Sequence, residues 1–531
     1  MGVSYIIYMQ VEEKRMAKKE RPRGVGNVFE KDKAISSPVG ATRLSVASFS
    51  CGTCVMVLEM AGSRVVAPYM GTSLIVWTSL IGIVMASLSL GYWMGGVVSD
   101  RRPDPGLLAR IIGGSALSTA LLAVLAGPLL SFVARNVSNV YVGSVVAALC
   151  LFAVPSFLLG MVSPFIVRLA MHSLGSAGTT VGRFSALSSA GSILGTFLGG
   201  FVLISFFSSR TILFLVAAVL AATALPIYRR GWKALSPIVV VSVGMACLSE
   251  AGAMPMIPEG ISIDTRYNSI LVTERVSYAT GRRVRILQTD PMGAQSLMYV
   301  DNPAELYSDY TKFYDLAFHY NPGAKKVLML GGGGYCVPKH LAATRPDVSI
   351  DVVEIDPGIT DVAKKYFYLK DRLNQRIFHE DARRFLNRTA AARDVEYDAV
   401  FEDVFGSSYN IPFHLTTVEC MEKVKALLSP EGVFIANIIS SVDDEFFSGI
   451  YASVAEVFPT VMIFPATYPQ GRSIRQNVMI VALPAETIPQ REPESLSMAS
   501  LLAHRLEGAF TPKISAFTDR FAPVEKYSLL D

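Results

Sequence analysis

Hydrophobic positions fall along this chain in two regimes. Between residues 44 and 250 apolar runs follow one another with Asp, Glu and Lys nearly missing, whereas from 260 onward short apolar stretches alternate with charged ones. A helix needs roughly 20 apolar residues to cross hydrocarbon, and such runs are predicted at 42–61, 74–98, 107–130, 141–166, 184–206 and 211–228. A seventh, "SPIVVVSVGMACLSEAGAM" from residue 236, is shorter. In the second regime "KKVLMLG" (from 325), "SIDVVEID" (349–356), "RIFHED" (from 376), "YDAVFEDVF" (from 397), "GVFIANI" (from 432) and "NVMIVAL" (from 477) read as strands separated by helical segments. That alternation predicts an α/β doubly wound parallel sheet behind a multi-pass α-helical membrane domain of six or seven helices over 44–250.

Composition sharpens the division. A chain of 531 residues is too long for one domain, and 51% hydrophobic against 17% charged residues lies well off the soluble average. The net charge of +4 comes largely from Lys14, Arg15, Lys18, Lys19, Arg21 and Arg23, so no basic face for nucleic acid is expected. Residues 1–43 read as a disordered cytoplasmic tail, since the basic run follows a very short apolar stretch, unlike a signal peptide. Arg101, Arg102, Arg110, Arg168, Arg183, Arg229, Arg230 and Lys233 share the tail's side of the bilayer, against Arg64, Arg135 and Arg210 opposite, which puts the N-terminus inside. If the segment from 236 spans, the C-terminal half lies outside; if it lies along the surface, that half is cytoplasmic.

Small residues four apart, as in "SALSSAGSILGTFLGG", allow close helix packing in a membrane. "GYWMGGVVSDRR" (91–102) resembles the cytoplasmic loop between the second and third helices of major facilitator transporters, and about six helices would make half of one. Glu59 and Arg64 in "LEMAGSR" are either a functional intramembrane charge or an interfacial pair that fixes helix depth. The six cysteines imply no disulfide framework and no metal site, and "CGTC" (51–54) reads as small residues at a helix interface.

Ligands of doubly wound sheets sit beyond the carboxyl ends of the strands. There Gly331, Gly332, Gly333 and Gly334 form a turn that lets backbone approach a ligand, and Glu354 suits ribose hydroxyls. Asp381 is placed to accept from an adenine amino group, or to cap a helix, and Asp403 stands at a fourth strand end. "VLMLGGGGYC", "VEID", "HEDARRFL" and "YDAVFEDVF" together resemble the spermidine synthase family of aminopropyltransferases, whose core has the S-adenosylmethionine-dependent methyltransferase fold. "SIDTRYNSILVTERV" resembles their small β subdomain, expected here over 258–302 ahead of a catalytic domain over 303–531. With "LEMAGSRVVAPYMGTSLIVWTS" in front and "FTDRFAPVEKY" behind, the layout is similar to membrane-fused spermidine synthase-like proteins.

The resemblance implies roles. Asp403 would orient and deprotonate the attacking amine, Tyr310 or Tyr314 would line the acceptor pocket, and Ala382 would join Asp381 at the adenine. Asn268 and Gln295 stand where the family has ligand-contacting glutamines. Two family carboxylates are replaced, by Gly334 in the turn and by Gly406 after the catalytic aspartate; Glu402 should point away from the crevice. "SSYNIPFHLTT" (407–417) reads as a lid, with His414 a proton-transferring or merely backbone-bonded group.

The function implied is a membrane-anchored aminopropyltransferase using decarboxylated S-adenosylmethionine and a small amine or polyamine, without a metal. The alternatives are a methyltransferase using intact S-adenosylmethionine, or a transporter-like sensor that binds without turnover. A cytoplasmic catalytic domain is expected because the cofactor is made inside the cell, and a homodimer is the family-level expectation.

Overall fold

The computed structural model describes residues 39–70, 74–137, 139–171, 177–228, 232–250, 260–265, 267–289, 293–404, 411–469 and 471–528. The basic tail over 1–38, Arg229, Arg230, Gly406 and the first part of the expected lid lie outside them.

The first half is a helical bundle: α1 (Ala41–Met70), α2 (Leu74–Arg101), α3 (Pro105–Asn136), α4 (Val140–Ala170), α5 (Ala177–Phe197, continued by a π-helical segment, Leu198–Leu203, and a last α turn, Ile204–Phe206), α6 (Ser209–Ala224) and α7 (Trp232–Glu250). Among the described residues six helices are long and apolar enough to cross a membrane, and α7 is one of them, over Lys233–Glu250. The run expected at 211–228 folds instead as the shorter α6, with Ser208 capping its start and Pro226 just past its end. Small residues set the packing. A Cβ on Gly91 would come within 2.2 Å of the Phe157 carbonyl on α4, and one on Gly191 within 2.1 Å of the Phe49 carbonyl on α1. Cys51 and Cys54 are buried within the helical core, as small residues of a helix interface should be.

The second half holds two sheets. β1 (Ile261–Asp264), β2 (Ser269–Val276), β3 (Arg283–Gln288) and β4 (Ser296–Tyr299) form a small antiparallel sheet. A larger sheet contains β5 (Lys326–Leu330), β6 (Ser349–Val353), β7 (Gln375–Phe378), β8 (Tyr397–Glu402), β9 (Leu428–Ser440), β10 (Thr460–Pro465) and β11 (Gln476–Leu483), in the order β10-β11-β9-β8-β5-β6-β7. β7, β6, β5, β8 and β9 run parallel, while β11 is antiparallel to both β9 and β10. The sheet is therefore mixed rather than wholly parallel. Only residues 466–475 join β10 to β11, too few for a parallel crossover.

Side chains alternate into two cores: Val327, Met329 and Phe401 face one layer, and Leu328, Leu330 and Val400 the other. α8 (Cys336–Thr344) and α9 (Pro357–Tyr366) cover the first layer; α10 (Ala382–Ala392), α11 (Val418–Leu427) and α12 (Glu445–Val457) cover the second. The chain leaves β5 toward β6 on one side and returns to β8 on the other. This reversal opens a crevice at the strand ends.

Candidate active site

A cavity of about 400 Å³ fills that crevice, lined by residues that follow β5, β6, β7 and β8 and roofed by Tyr267, Asn268, Gln295 and Ser296 of the small sheet. Gly331 adopts φ 91° and Gly333 φ 50°, and a Cβ on Gly331 would lie 2.0 Å from the Asp403 carbonyl. Glycine is required there on both counts. The turn is tied to the end of β6 by Glu354, whose Oε2 accepts from the Gly332 and Gly333 N–H groups at 2.9 and 3.3 Å. Its Oε1 accepts from the Asp356 N–H at 2.9 Å. Burial raises the Glu354 pKa, and these three donors oppose the shift.

Asp403 faces the cavity just past β8. Tyr310 donates its hydroxyl to one carboxylate oxygen at 3.1 Å, and Asn437 donates to the other at 3.0 Å. Asn477 in turn donates to the Asn437 oxygen at 2.9 Å, which turns the Asn437 amide toward the carboxylate. Burial lifts the Asp403 pKa above the ordinary carboxylate value, against the lowering effect of its two donors. Asn437 and Asn477 escape a reading by motif. Their signal is a polar residue inside "GVFIANI" and another opening "NVMIVAL", two runs that are otherwise apolar and buried.

Residues 311–485 match the spermine/spermidine synthase domain. Over 230 residues the chain is 30% identical to the polyamine aminopropyltransferase of Vibrio vulnificus, a span covering 41% of this chain and 75% of that one. The chain belongs to the polyamine aminopropyltransferase family of enzymes. An eEF1A lysine and N-terminal methyltransferase homolog of Drosophila melanogaster is 30% identical over 140 residues, 25% of this chain and 20% of that protein. A probable spermidine synthase from Corynebacterium glutamicum aligns in structure with a TM-score of 0.40 at 19% identity, covering 49% of this chain and 97% of that one.

The aminopropyltransferase domain gathers most of the residues singled out in the sequence. Asn268, Gln295, Tyr310, Gly331, Gly332, Gly333, Glu354, Asp381, Ala382 and Asp403 all line the cavity. Asn268 also donates to Asp356 at 2.9 Å. Asp381 caps α10, accepting from the Arg384 N–H at 2.9 Å, and meets His414 Nε2 at 3.2 Å through its other oxygen. His414 is thus placed behind Asp381, outside the cavity lining.

Tyr314 is corrected. It is 1% exposed, its ring packs on Phe401 with centroids 4.7 Å apart, and its hydroxyl donates to the Glu402 carbonyl, so it belongs to the core rather than the acceptor pocket. Gly334 is corrected as well. It does not line the cavity; its N–H donates to Ser296 Oγ at 2.8 Å, and a Cβ there would come 2.8 Å from the Ser296 Cβ and 3.1 Å from Phe367. Ser296 thus fills the space that a longer side chain at 334 would need. Gly334→Asp should therefore cost about 1–3 kcal/mol of stability, as overpacking does, without tightening cofactor binding. Adding Ser296→Gly should recover much of the loss in a denaturation midpoint; an unchanged midpoint for the single variant would contradict the steric reading.

Glu402 faces the layer of α10 and α11, 3% exposed, and its pKa is pushed up to about 8 by burial and by the Asp403 charge. A raised carboxyl pKa means that the folded chain holds a proton the unfolded chain has released. The unfolded group titrates near 4.3, so stability should fall as pH rises from about 4.3 toward 8. Glu402→Gln should flatten that decline in melting curves taken between about pH 5 and 8.

Proposed function

We propose that the chain is a membrane-anchored aminopropyltransferase that moves an aminopropyl group from decarboxylated S-adenosylmethionine to an amine. The charge of the cavity carries this reading. Its lining includes four carboxylates, Glu354, Asp381, Asp403 and Asp309, of which Asp309 is paired with Lys312 at 2.8 Å, and among the described residues that line it there is no Lys, Arg or His. A sulfonium whose tail ends in an ammonium is attracted into such a site, whereas the carboxylate of the intact cofactor meets like charge.

The co-substrate supplies an electrophilic carbon next to a sulfonium. Gly331 to Gly333 bring backbone against the nucleotide, and Glu354 accepts from the ribose hydroxyls. Asp381 and Ala382, at the start of α10, border the adenine. Asp403 accepts a hydrogen bond from the acceptor amine, orients the lone pair toward the carbon, and takes the proton as the nitrogen–carbon bond forms and the carbon–sulfur bond breaks. Tyr310 and Asn437 hold the carboxylate in place for that proton transfer. The six long apolar helices support anchoring in a bilayer.

Incubation of the full chain with decarboxylated S-adenosylmethionine and a panel of amines, read by mass spectrometry, tests the reading. An amine lengthened by one aminopropyl group is the expected product. Methylated amine formed from the intact cofactor, with none from the decarboxylated one, would replace this reading by methyl transfer.

A further inference from the structure

The bundle has two distinguishable ends, and named contacts assign each helix terminus to one of them. Arg43 at the start of α1 donates to the Pro226 carbonyl just past α6, at 3.2 Å. Arg183 near the start of α5 donates to Ser45 at 3.2 Å, and Arg168 at the end of α4 pairs with Asp100 at the end of α2, at 3.3 Å. These termini share one end of the bundle. At the opposite end Thr211, in the first turn of α6, donates to Glu250, the last residue of α7, at 2.8 Å.

α7 therefore runs the length of α6 in the reverse direction. Its first turn lies against α3 near that helix's start, where a Cβ on Gly113 would fall 2.4 Å from Leu235. Its last residue reaches the far end. Seven helices, the short α6 included, thus alternate in direction along the bundle, and the catalytic half emerges at the end opposite the start of α1.

The two halves also meet there. The Ser209 N–H donates to Asp264 of β1 at 3.0 Å, and Arg64, late in α1, donates to the Thr265 carbonyl. Arg64, read in the sequence with Glu59 as a functional charge or an interfacial pair, here holds the small sheet. The cationic residues divide unequally between the ends. Among the described residues between 39 and 250, Arg43, Arg101, Arg102, Arg110, Arg168, Arg183 and Lys233 lie in the helix termini and connections at the α1-start end. Among the described residues, Arg64, Arg135 and Arg210 alone lie toward the other end. Lys and Arg in short connections stay on the cytoplasmic side during insertion.

We propose that the aminopropyltransferase domain faces the extracytoplasmic side of the membrane, rather than the cytoplasm that the origin of its cofactor would favour. The proposal rests on the membrane-anchored reading above. It makes the acceptor an amine present outside the cytoplasm. It also requires the sulfonium co-substrate, a permanent cation that hydrocarbon excludes, to be available on that side.

Labelling of cysteines introduced one at a time into the full chain, in intact cells, tests it. Tyr278→Cys, in the exposed β2–β3 turn, and Leu373→Cys, exposed ahead of β7, report the catalytic half; Gly178→Cys, exposed at the start of α5, reports the opposite end. With the wild-type chain as background, a membrane-impermeant maleimide should label the first two in intact cells and the third only after permeabilisation. The reverse pattern would overturn the proposed orientation and leave the anchoring intact. Equal labelling of all three in intact cells, with the chain released by an alkaline carbonate wash, would sink the anchoring and the proposal with it.

Discussion

Asp403→Asn is expected to lower kcat by about 10²–10⁴-fold while leaving co-substrate affinity within a few fold. Asn has nearly the same shape, and Tyr310 and Asn437 still surround it. What is lost is the acceptor for the amine proton. The pH dependence has a definite sign. Only the ionised carboxylate accepts that proton, and burial raises the Asp403 pKa, so activity should fall on the acid side from a pH above the usual carboxylate range. In Asp403→Asn the residual rate should lose this acid limb. Steady-state kinetics across pH check both points, and an Asn variant with an unchanged kcat would remove Asp403 from the chemistry.

Glu354→Gln is expected to act on binding instead. Glu354 bonds three backbone N–H groups, two from the glycine turn and one from Asp356. An amide NH₂ would face at least one of these donors and would no longer offer a charged acceptor to the ribose. Hydrogen bonds to charged groups contribute about 1.5–3 kcal/mol each. Affinity for the adenosyl co-substrate should therefore fall by about 10–100-fold. KM for that co-substrate should rise in step, with kcat changed far less. A matching fall in kcat with KM unchanged would instead place Glu354 at the reacting atoms.

Much of this site is legible from the sequence because strand ends are legible. Each of Gly331, Glu354, Asp381 and Asp403 follows an apolar run, and the doubly wound connectivity brings such ends together whatever the details of packing. What stays hidden depends on contacts between distant segments. Tyr310 and Tyr314 are four apart in "SDYTKFYDL", and a regular helix would put both on one face. The chain instead passes from an α turn at Asp309–Lys312 to a 3₁₀ turn at Phe313–Asp315, which carries Tyr314 into the core.

Gly334 carries the same lesson in reverse. A missing carboxylate is visible in the turn, but Ser296, delivered from β4, is what occupies the space beside it. The antiparallel edge of the large sheet was hidden too, since hydrophobic period gives strand identity but not strand direction. Asn437 and Asn477 look like ordinary strand polar residues until β9 and β11 pair and align their amides behind Asp403.

Titration calorimetry of the full chain with decarboxylated and with intact S-adenosylmethionine tests the central claim most directly. A cavity lined by carboxylates should bind the decarboxylated form at least about tenfold more tightly, a difference of about 1.4 kcal/mol. Equal affinity, a preference for the intact cofactor, or no binding of either would contradict an aminopropyl-transfer site.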